Sequence, residues 1–343
     1  MNTIFKEERF SIIEHSNMDE LSWDQFVFEN RYGFVYYRYN YLLKDEEENT
    51  INKSFIVLDN ATRTILALCP LFVKIVSGSV EKIFCRNGIL IKDDLGSNLR
   101  KKLADCITAH IYSYLGKADN KVISAEIPAL AILENNNSLI NPLIYFGFKP
   151  GIRYTWITCI KGGPDALLSG FEPSTRRDIQ KLDSLNEYYL EEILDSTKTL
   201  EDRFDDLLLL CRETYHRNNV NAKCEDYYRN IYYNLDINYR RIFFLRRKSD
   251  DSAVVVAVFF IYGNKAHYDI GASISQKMRG GSKLLIYKSF LRLRDLGIDY
   301  VEMGGAYPYL PLNDKLRGIS DFKKCFGCDL YPMLLGEMSF HSD

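Results

Sequence analysis

Two stretches of the chain share one order of apolar and polar positions. Residues 54–73 (SFIVLDNATRTILALCPLFV) and residues 242–262 (IFFLRRKSDDSAVVVAVFFIY) each consist of an apolar run, a polar turn and a second apolar run. Runs that are rich in β-branched and aromatic residues and bounded by polar turns are typical of β-strands. The pattern therefore predicts a strand–turn–strand segment in each half of the chain.

The second of these segments is followed by a predicted strand, helix and strand. The turn Gly263-Asn264 leads into the strand KAHYDIGASI. Apolar residues at helical spacing then predict a helix with Ser282 as its N-cap and Gly297 at its left-handed C-terminus. The strand after this helix carries a carboxylate, Glu302.

The first segment is followed by the same elements. A strand is predicted over KIFCRNGILI, and a helix opens at Ser97, ends at Gly116 and leads to a strand that carries Glu126. The unit therefore occurs twice, as expected of a duplicated domain. It predicts an α/β (α+β) fold with two similar domains, each a mixed, mostly antiparallel sheet flanked by helices.

The boundary between the two domains is predicted near residue 150. The stretch FGFKPGIRY contains the glycine and proline that punctuate chain segments. We expect an N-terminal domain over 1–150 and a C-terminal domain over 151–343, with a tail from about residue 328 that could pack back on the first domain. The length of 343 residues is sufficient for two such domains.

Composition narrows the choice of partners and location. The net charge is −2, with 46% hydrophobic and 26% charged residues, so the chain is globular and offers no overall basic field for DNA. It contains no apolar run of the roughly 20 residues that a membrane-spanning helix needs. Its first residues do not resemble a secretory signal. We expect a cytoplasmic location, and peripheral contact with a membrane stays open.

Cysteine spacing does not predict a metal centre. Of eight cysteines, only Cys325 and Cys328 have CxxC spacing, and no second pair or HxxxH completes a zinc site. We interpret the thiols as buried or incidental. The sequence also contains no G-x-S-x-G, Walker A, G-x-G-x-x-G or H-E-x-x-H motif.

A glycine-rich turn precedes the second predicted helix. Exposed backbone N–H groups and the helix dipole favour an anion at such a turn. With the strand order around it, the stretch KMRGGS resembles the R/Q-x-x-G-x-G/A turn of the GNAT acyltransferase superfamily, which receives the pyrophosphate of acyl-CoA. A plain glycine turn is the alternative. The predicted cofactor-binding residues are Lys277, Arg279, Gly280, Gly281 and Ser282.

Near the C-terminus, residues 315–327 follow the pattern K-x-x-G-x-x-x-F-K-x-x-F-G. This pattern resembles the C-terminal signature of the FemAB-like transferases, which comprise peptidoglycan-bridge aminoacyltransferases and GNAT-type relatives. Stretches along almost the whole chain agree with the resemblance, among them LALCPLF, STRRDIQKL and YVEMGG. Some members carry a coiled-coil arm. Residues 190–240 show no sustained heptads, so the chain resembles the armless members.

The resemblance implies a role for Lys323. It would lie near the reacting carbonyl and either stabilise negative charge in the transition state or hold a phosphate, with Phe322 anchoring its segment. Because an amine acceptor must lose a proton, a strand-end carboxylate is a candidate base. The other predicted catalytic residues are Tyr268, Asp269 and Glu302. His267 is interpreted as a packing residue.

Cations in the predicted helix that starts at PST are candidates for binding an anionic substrate. Arg176 and Arg177 lie in its first turn, where they oppose the helix dipole unless an anion is bound. Exposed arginines paired with carboxylates are the alternative. Within the signature, Lys315 and Arg317 are also predicted to bind substrate.

Tyrosine clusters at 32–41 and 225–234 could stack RNA bases. Few cations flank the first cluster and acids balance the second, so we interpret both as packing at the core and its rim.

These patterns predict a transferase that moves an acyl or aminoacyl group onto an amine of an amino sugar, sugar nucleotide, cell-wall precursor or small metabolite. The predicted donor is acyl-CoA or aminoacyl-tRNA, with no tightly bound cofactor and no metal. Acyl-CoA is preferred because the basic surface signal expected for tRNA is weak. The alternatives are a tRNA-dependent FemX-type aminoacyltransferase of peptidoglycan bridge synthesis and a non-catalytic GNAT pair that binds a nucleotide-sugar.

Overall fold

The computed structural model describes residues 9–42, 49–85, 87–114, 121–133, 141–194, 197–219, 221, 223–274 and 280–340. By their internal contacts, the described residues form two compact units. The first contains the residues up to Ile152 together with those from Met333 onward, and the second contains Arg153–Pro332.

The described residues of both units form helices and strands. In chain order they are β1 (Phe10–Glu14), α1 (Glu20–Glu29), β2 (Thr50–Asn52), β3 (Phe55–Asp59), β4 (Thr64–Cys69), β5 (Leu71–Val76), β6 (Ser79–Cys85), β7 (Leu90–Ile91), α2 (Ser97–Ser113), β8 (Lys121–Ile127), α3 (Ala129–Ile132), β9 (Lys149–Cys159), α4 (Pro164–Gly170), α5 (Pro173–Ser184), β10 (Tyr188–Glu192), α6 (Thr197–Arg217), α7 (Glu225–Arg229), β11 (Arg240–Arg247), β12 (Ala253–Tyr262), β13 (Lys265–Ser273), α8 (Gly281–Asp295), β14 (Tyr300–Gly305), α9 (Lys315–Lys324) and β15 (Asp329–Phe340). Short 3₁₀ turns lie at 15–17, 35–37, 142–146 and 237–239, and a π-helix lies at 230–234.

In the second unit, the strands follow the order β10-β11-β12-β13-β14-β9. All neighbours are antiparallel except β13 and β14, which run parallel and are joined by the crossover helix α8. A tight turn reverses the chain direction and therefore joins antiparallel strands. Parallel neighbours need a longer crossover connection such as this helix.

The first unit repeats this order with one interruption. Strand β3 pairs with β4, β5 pairs with β6, β6 runs parallel to β8, and β15 is antiparallel to β8. Strands β4 and β5 together correspond to β12, but Pro70 separates them. Proline has no N–H to donate to a ladder. Because both units have the same order of paired strands, the predicted repeat and fold class are confirmed.

The start of α8 differs from the prediction. The helix begins at Gly281, with Gly280 as its N-cap at φ +87° and no side-chain cap bond. The prediction that Ser282 is the N-cap was wrong, because the left-handed conformation at Gly280 turns the chain into the helix before Ser282 is reached. At the other end, Gly297 is left-handed at φ +84°, as predicted.

The core of the second unit surrounds α8. Leu284, Leu285 and Phe290 of this helix pack against strand residues such as Phe243 and Phe259, and all of these side chains are buried. This packing holds α8 against the face of β11 and β12 in the centre of the sheet.

Candidate active site

Strands β13 and β14 pair over only a short distance. Their parallel pairing covers three residue pairs and ends at His267 and Glu302. Beyond that point, β13 continues beside β12 to Ser273, and β14 continues beside β9 to Gly305. The strands are therefore unpaired with each other at their carboxyl ends, and we call this region the β13–β14 gap. Ligands of α/β sheets commonly bind where neighbouring strands diverge in this way.

Each strand has a β-bulge at the edge of the gap. In β13 the pairing passes from Ile270 to Tyr268, leaving Asp269 as the extra residue. In β14 it passes from Glu302 to Gly304, leaving Met303 as the extra residue. Bulges redirect side chains and are frequent beside active sites.

Lys323 reaches β14 from the last turn of α9. Its Nζ lies 2.9 Å from the position that a Cβ on Gly304 would occupy. Burial lowers the pKa of Lys323 to about 8, and the nearby Glu302 carboxylate and Cys328 thiol only partly oppose this shift. A lysine of this kind has a weakly solvated cation that can stabilise negative charge on a ligand.

Glu302 of β14 is the carboxylate whose charge acts on this cation. It is 1% exposed, and within the described residues neither of its oxygens accepts a hydrogen bond. The Nδ1 of His267 lies 3.6 Å from its Oε2. His267 was interpreted as a packing residue, whereas the structure places it beside Glu302. A buried carboxylate needs a nearby cation or donor to stay charged, and Lys323 and His267 are the candidates.

Tyr268 and Asp269 lie on β13 immediately after the parallel pairing. The Tyr268 ring lies over Gly271, where a Cβ would be 1.6 Å from the tyrosine hydroxyl oxygen. Burial raises the pKa of Tyr268. Asp269 is partly buried, and its Oδ2 accepts a hydrogen bond of 2.9 Å from the Tyr227 hydroxyl. Both predicted residues thus lie at the gap.

The signature segment forms a helix, which the sequence analysis did not predict. Asp314 caps α9 by accepting a 2.7 Å hydrogen bond from Leu316 N. The buried Ser320 hydroxyl accepts from Trp156 Nε1 and from Tyr307 N, both at 2.9 Å. These bonds fix the helix that carries Lys323.

The two phenylalanines of the signature anchor the same helix. Phe326 is fully buried and packs edge-on against Phe171 and Phe322, with ring centroids 5.4 and 5.3 Å apart. Gly327 follows at φ +70°, and a Cβ there would lie 2.7 Å from the carbonyl oxygen of Gly170. This close approach is why the signature needs glycine at that position.

The CxxC thiols take part in hydrogen bonds at the end of α9. Cys325 Sγ donates to the Phe322 carbonyl at 2.8 Å, and Cys328 Sγ donates to the Lys323 carbonyl at 3.2 Å. Burial raises the pKa of both thiols, to about 12 for Cys328. Such thiols are unreactive. No cluster of potential metal ligands occurs among the described residues.

Part of the predicted anion site lies outside the described residues. This applies to Lys277 and Arg279. Gly280, Gly281 and Ser282 form the first turn of α8, which contains no acidic residue.

The predicted substrate-binding cations have protein partners. Arg317 donates to both oxygens of Asp321 and to the Pro308 carbonyl, and Lys315 donates to the Asn218 carbonyl. These bonds hold the two side chains on the protein, and their binding of substrate stays a prediction.

The two predicted arginines lie near the start of α5, the helix that packs against α8. Arg176 donates to the Ser169 carbonyl at 3.0 Å. Arg176, the exposed Arg177 and Gln180 line one shallow depression of the surface. Their role also stays a prediction.

No helix within the described ranges is long and apolar enough to cross a bilayer.

Comparisons with known proteins identify the fold. No protein-family model matches the sequence, and no curated protein matches it. Among solved structures, FemX is similar with a TM-score of 0.68 and 15% identity, over 94% of this chain and 96% of FemX. The C-terminal domain of a candidate lysylphosphatidylglycerol synthetase from Agrobacterium fabrum has a TM-score of 0.57 and 12% identity, over 92% and 90% of the two chains.

A tandem GNAT protein from the clavulanic acid biosynthesis pathway has a TM-score of 0.53 and 10% identity, over 97% of this chain and all (100%) of that one. At these identities the likeness concerns the fold. The chain therefore has the tandem GNAT-like fold that FemX also has.

Proposed function

We propose that the protein transfers an acyl or aminoacyl group to an amine at the β13–β14 gap. The observation that supports this most is the half-buried Lys323 ammonium beside Gly304, with the buried Glu302 carboxylate on the same strand as that glycine. The fold shared with FemX, the synthetase domain and the tandem GNAT protein agrees with a transferase.

In the proposed reaction, the amine nitrogen attacks the donor carbonyl carbon and a C–N bond forms. Lys323 stabilises the carbonyl oxygen as it becomes negative, because a preorganised cation at a weakly solvated site favours the charged transition state. The C–S or C–O bond to the leaving group then breaks. Glu302 helps to keep Lys323 protonated, since its charge raises the lysine pKa against the effect of burial.

The incoming amine is protonated in water and must lose a proton before it attacks. Asp269 is our candidate for accepting it, because it is only partly buried and one of its oxygens has no donor among the described residues. The reaction as a whole converts an ammonium and an acyl donor into an amide, a protonated leaving group and one released proton.

We propose acyl-CoA as the donor. The first turn of α8 has no acidic side chain of its own, and the neighbouring Asp178 of α5 is paired with Lys283 at 2.8 Å. The N–H groups of this turn are therefore our candidates for receiving a phosphate. The tandem GNAT protein of similar fold was solved in a form without AcCoA, and AcCoA is an acyl-CoA of the kind proposed here.

Aminoacyl transfer is the second candidate, favoured by the higher TM-score of FemX, 0.68 against 0.53. For the acceptor we propose an amino sugar, a sugar nucleotide, a cell-wall precursor or a small amine.

The test is a donor screen with two lysine variants. Acetyl-CoA, longer acyl-CoAs and charged tRNA are incubated with an amine panel, and products are identified by mass spectrometry, with ribonuclease treatment as a control. Lys323→Met should lower kcat/KM by about 100-fold. Lys324→Met, at the exposed neighbouring position, should retain activity.

Two results would overturn the proposal. One is an absence of turnover with every donor, which would favour a binding protein. The other is full activity of Lys323→Met. Transfer that ribonuclease abolishes would replace acyl-CoA by aminoacyl-tRNA as the donor.

A further inference from the structure

We infer that Tyr227 is a positioning residue that aims the Asp269 carboxylate at the acceptor amine, and that the C-terminal end of α6 and helix α7 form the acceptor side of the gap. The inference rests on the proposed function and adds to it the residues that receive the acceptor.

The first step concerns the two oxygens of Asp269. As the extra residue of the β13 bulge, Asp269 is not held by the regular ladder that fixes its neighbours. Its Oδ2 accepts the 2.9 Å hydrogen bond from Tyr227, and Oδ1 has no donor within the described part of the chain. The tyrosine therefore fixes the direction of the carboxylate and leaves one oxygen for a ligand.

The second step concerns the rigidity of Tyr227. Its side chain is 4% exposed and meets Tyr228 edge-on, with ring centroids 5.4 Å apart. The Lys223 ammonium lies 5.4 Å from the centre of the Tyr227 ring. Helix α7 continues directly into the π-helix at 230–234, a rare geometry that often occurs at functional sites. A hydroxyl held in this way can orient another side chain.

The third step is the attachment of α6 to the same strand. Thr214 Oγ1 donates to the Ser273 carbonyl at 3.0 Å and accepts from Ser273 N at 2.8 Å. Arg217 donates to the same carbonyl at 3.1 Å and to the Ser273 hydroxyl at 3.1 Å. Ser273 is the last residue of β13, so the C-terminal end of α6 is fixed to the part of this strand that β14 does not cover.

These contacts specify a ligand with a primary ammonium group. A carboxylate oxygen beside a neutral phenol attracts a cation and can accept one of its protons. The proton then moves from the ammonium nitrogen to Asp269 Oδ1, and the freed lone pair of the nitrogen forms the C–N bond. The tyrosine is neutral throughout and only donates its hydrogen bond.

The test compares conservative variants of two tyrosines, one on α7 and one on the π-helix that follows it. Tyr227→Phe removes only the hydroxyl and should raise KM for the acceptor about 10-fold, with KM for the donor unchanged, because a hydrogen bond to a charged group is lost. Tyr233→Phe is the matched control. This residue lies on the adjoining π-helix, is 37% exposed and should behave as wild type. Melting temperatures of all variants are recorded.

A double variant separates positioning from a purely structural role. If Tyr227 acts through Asp269, then adding Tyr227→Phe to Asp269→Asn should cause no further rise in the acceptor KM. Additive effects, or an unchanged acceptor KM in Tyr227→Phe, would overturn the inference while the proposed function stands. Wild-type protein without turnover would remove both. If Tyr227→Phe does not fold, Asp269→Asn alone must still raise the acceptor KM, or the inference is wrong.

Discussion

At the residue scale, the candidate site contains a glycine that faces Lys323. Gly304 has φ +86°, which favours glycine, and the Lys323 Nζ occupies the space where another residue would have its Cβ. The backbone conformation and the position of the cation thus require the same small residue.

Gly304→Ala should therefore lower activity more than stability. The added methyl group would lie 2.9 Å from Nζ and displace the ammonium, so we expect kcat/KM to fall at least 10-fold. The left-handed backbone costs about 1 kcal/mol of unfolding free energy. The control is Gly263→Ala, which has φ +59° with no atom within 4 Å of the new methyl group. It should show a similar loss of stability with normal activity, and equal activity of the two variants would contradict the account.

The pKa of Lys323 predicts how activity depends on pH. Burial lowers this pKa to about 8, so the cation that we propose for transition-state stabilisation is lost as the pH rises through about 8. We expect kcat/KM to fall above this pH in the wild type. In Lys323→Arg the fall should disappear, because the guanidinium stays charged. A rate that rises through pH 8 in wild type and not in the variant would instead indicate a neutral lysine acting as a base.

The same shift affects stability with a defined sign. Between about pH 8 and the normal lysine pKa of about 10.4, the unfolded chain binds more protons at this site than the folded chain does. The contribution of Lys323 to the free energy of unfolding therefore increases with pH across this window.

The sequence analysis named candidate residues for the site but not their contacts. Lys323, Glu302, Tyr268 and Asp269 were found because they stand in a signature or at strand ends. The partners that position them could not be found in this way, because Tyr227 lies about 40 residues before Asp269 in the chain. Only the folded sheet brings such distant residues together.

At the element scale, α9 was missed because its helical pattern is short and contains Gly318, which has a low helix propensity. Tertiary contacts compensate for this. Ser320 is bound by Trp156 and Tyr307, and Phe326 fills the core at the end of the helix. The segment is thus a helix mainly because of what it packs against.

Phe326→Ala should remove much of this support. The ring is fully buried among Phe171, Phe290 and Phe322, so its loss should lower the free energy of unfolding by about 3–5 kcal/mol in urea denaturation. Phe28→Ala, at a side chain that is 76% exposed on α1, should change it by less than about 0.5 kcal/mol. Similar losses in the two variants would show that α9 is not anchored by Phe326.

At the scale of the whole molecule, the two units share an order of strands but differ in chemistry. In the first unit, β6 and β8 also pair in parallel over only three residue pairs. There β8 carries Glu126 directly after the paired residues, and the apolar side chains of Ile127 and Leu143 lie close to Gly88. In the second unit, the corresponding region contains Glu302 and Lys323. The repeat could be predicted from the order of apolar and polar segments. The difference between the two regions depends on single side chains.

The first unit also depends on the last strand of the chain. Seven residues of β15 pair with β8, from Leu334 opposite Ile127 to Phe340 opposite Lys121, and Leu334 is 8% exposed. Leu334→Asp would bury an unpaired carboxylate and should lower the stability of this unit by about 3 kcal/mol. In hydrogen exchange, amide protection should be lost in β8 and kept in β12.

The matched control for this prediction is Leu330→Asp on the same strand. Its side chain is 42% exposed and precedes the paired residues, so protection in β8 should stay as in the wild type. Equal losses of protection in the two variants would show that a charge at either position on β15 has this effect, so that the burial of Leu334 is not the cause. If Leu334→Asp left β8 protected, the first unit would be stable without this strand, because β8 would then be held by β6 alone.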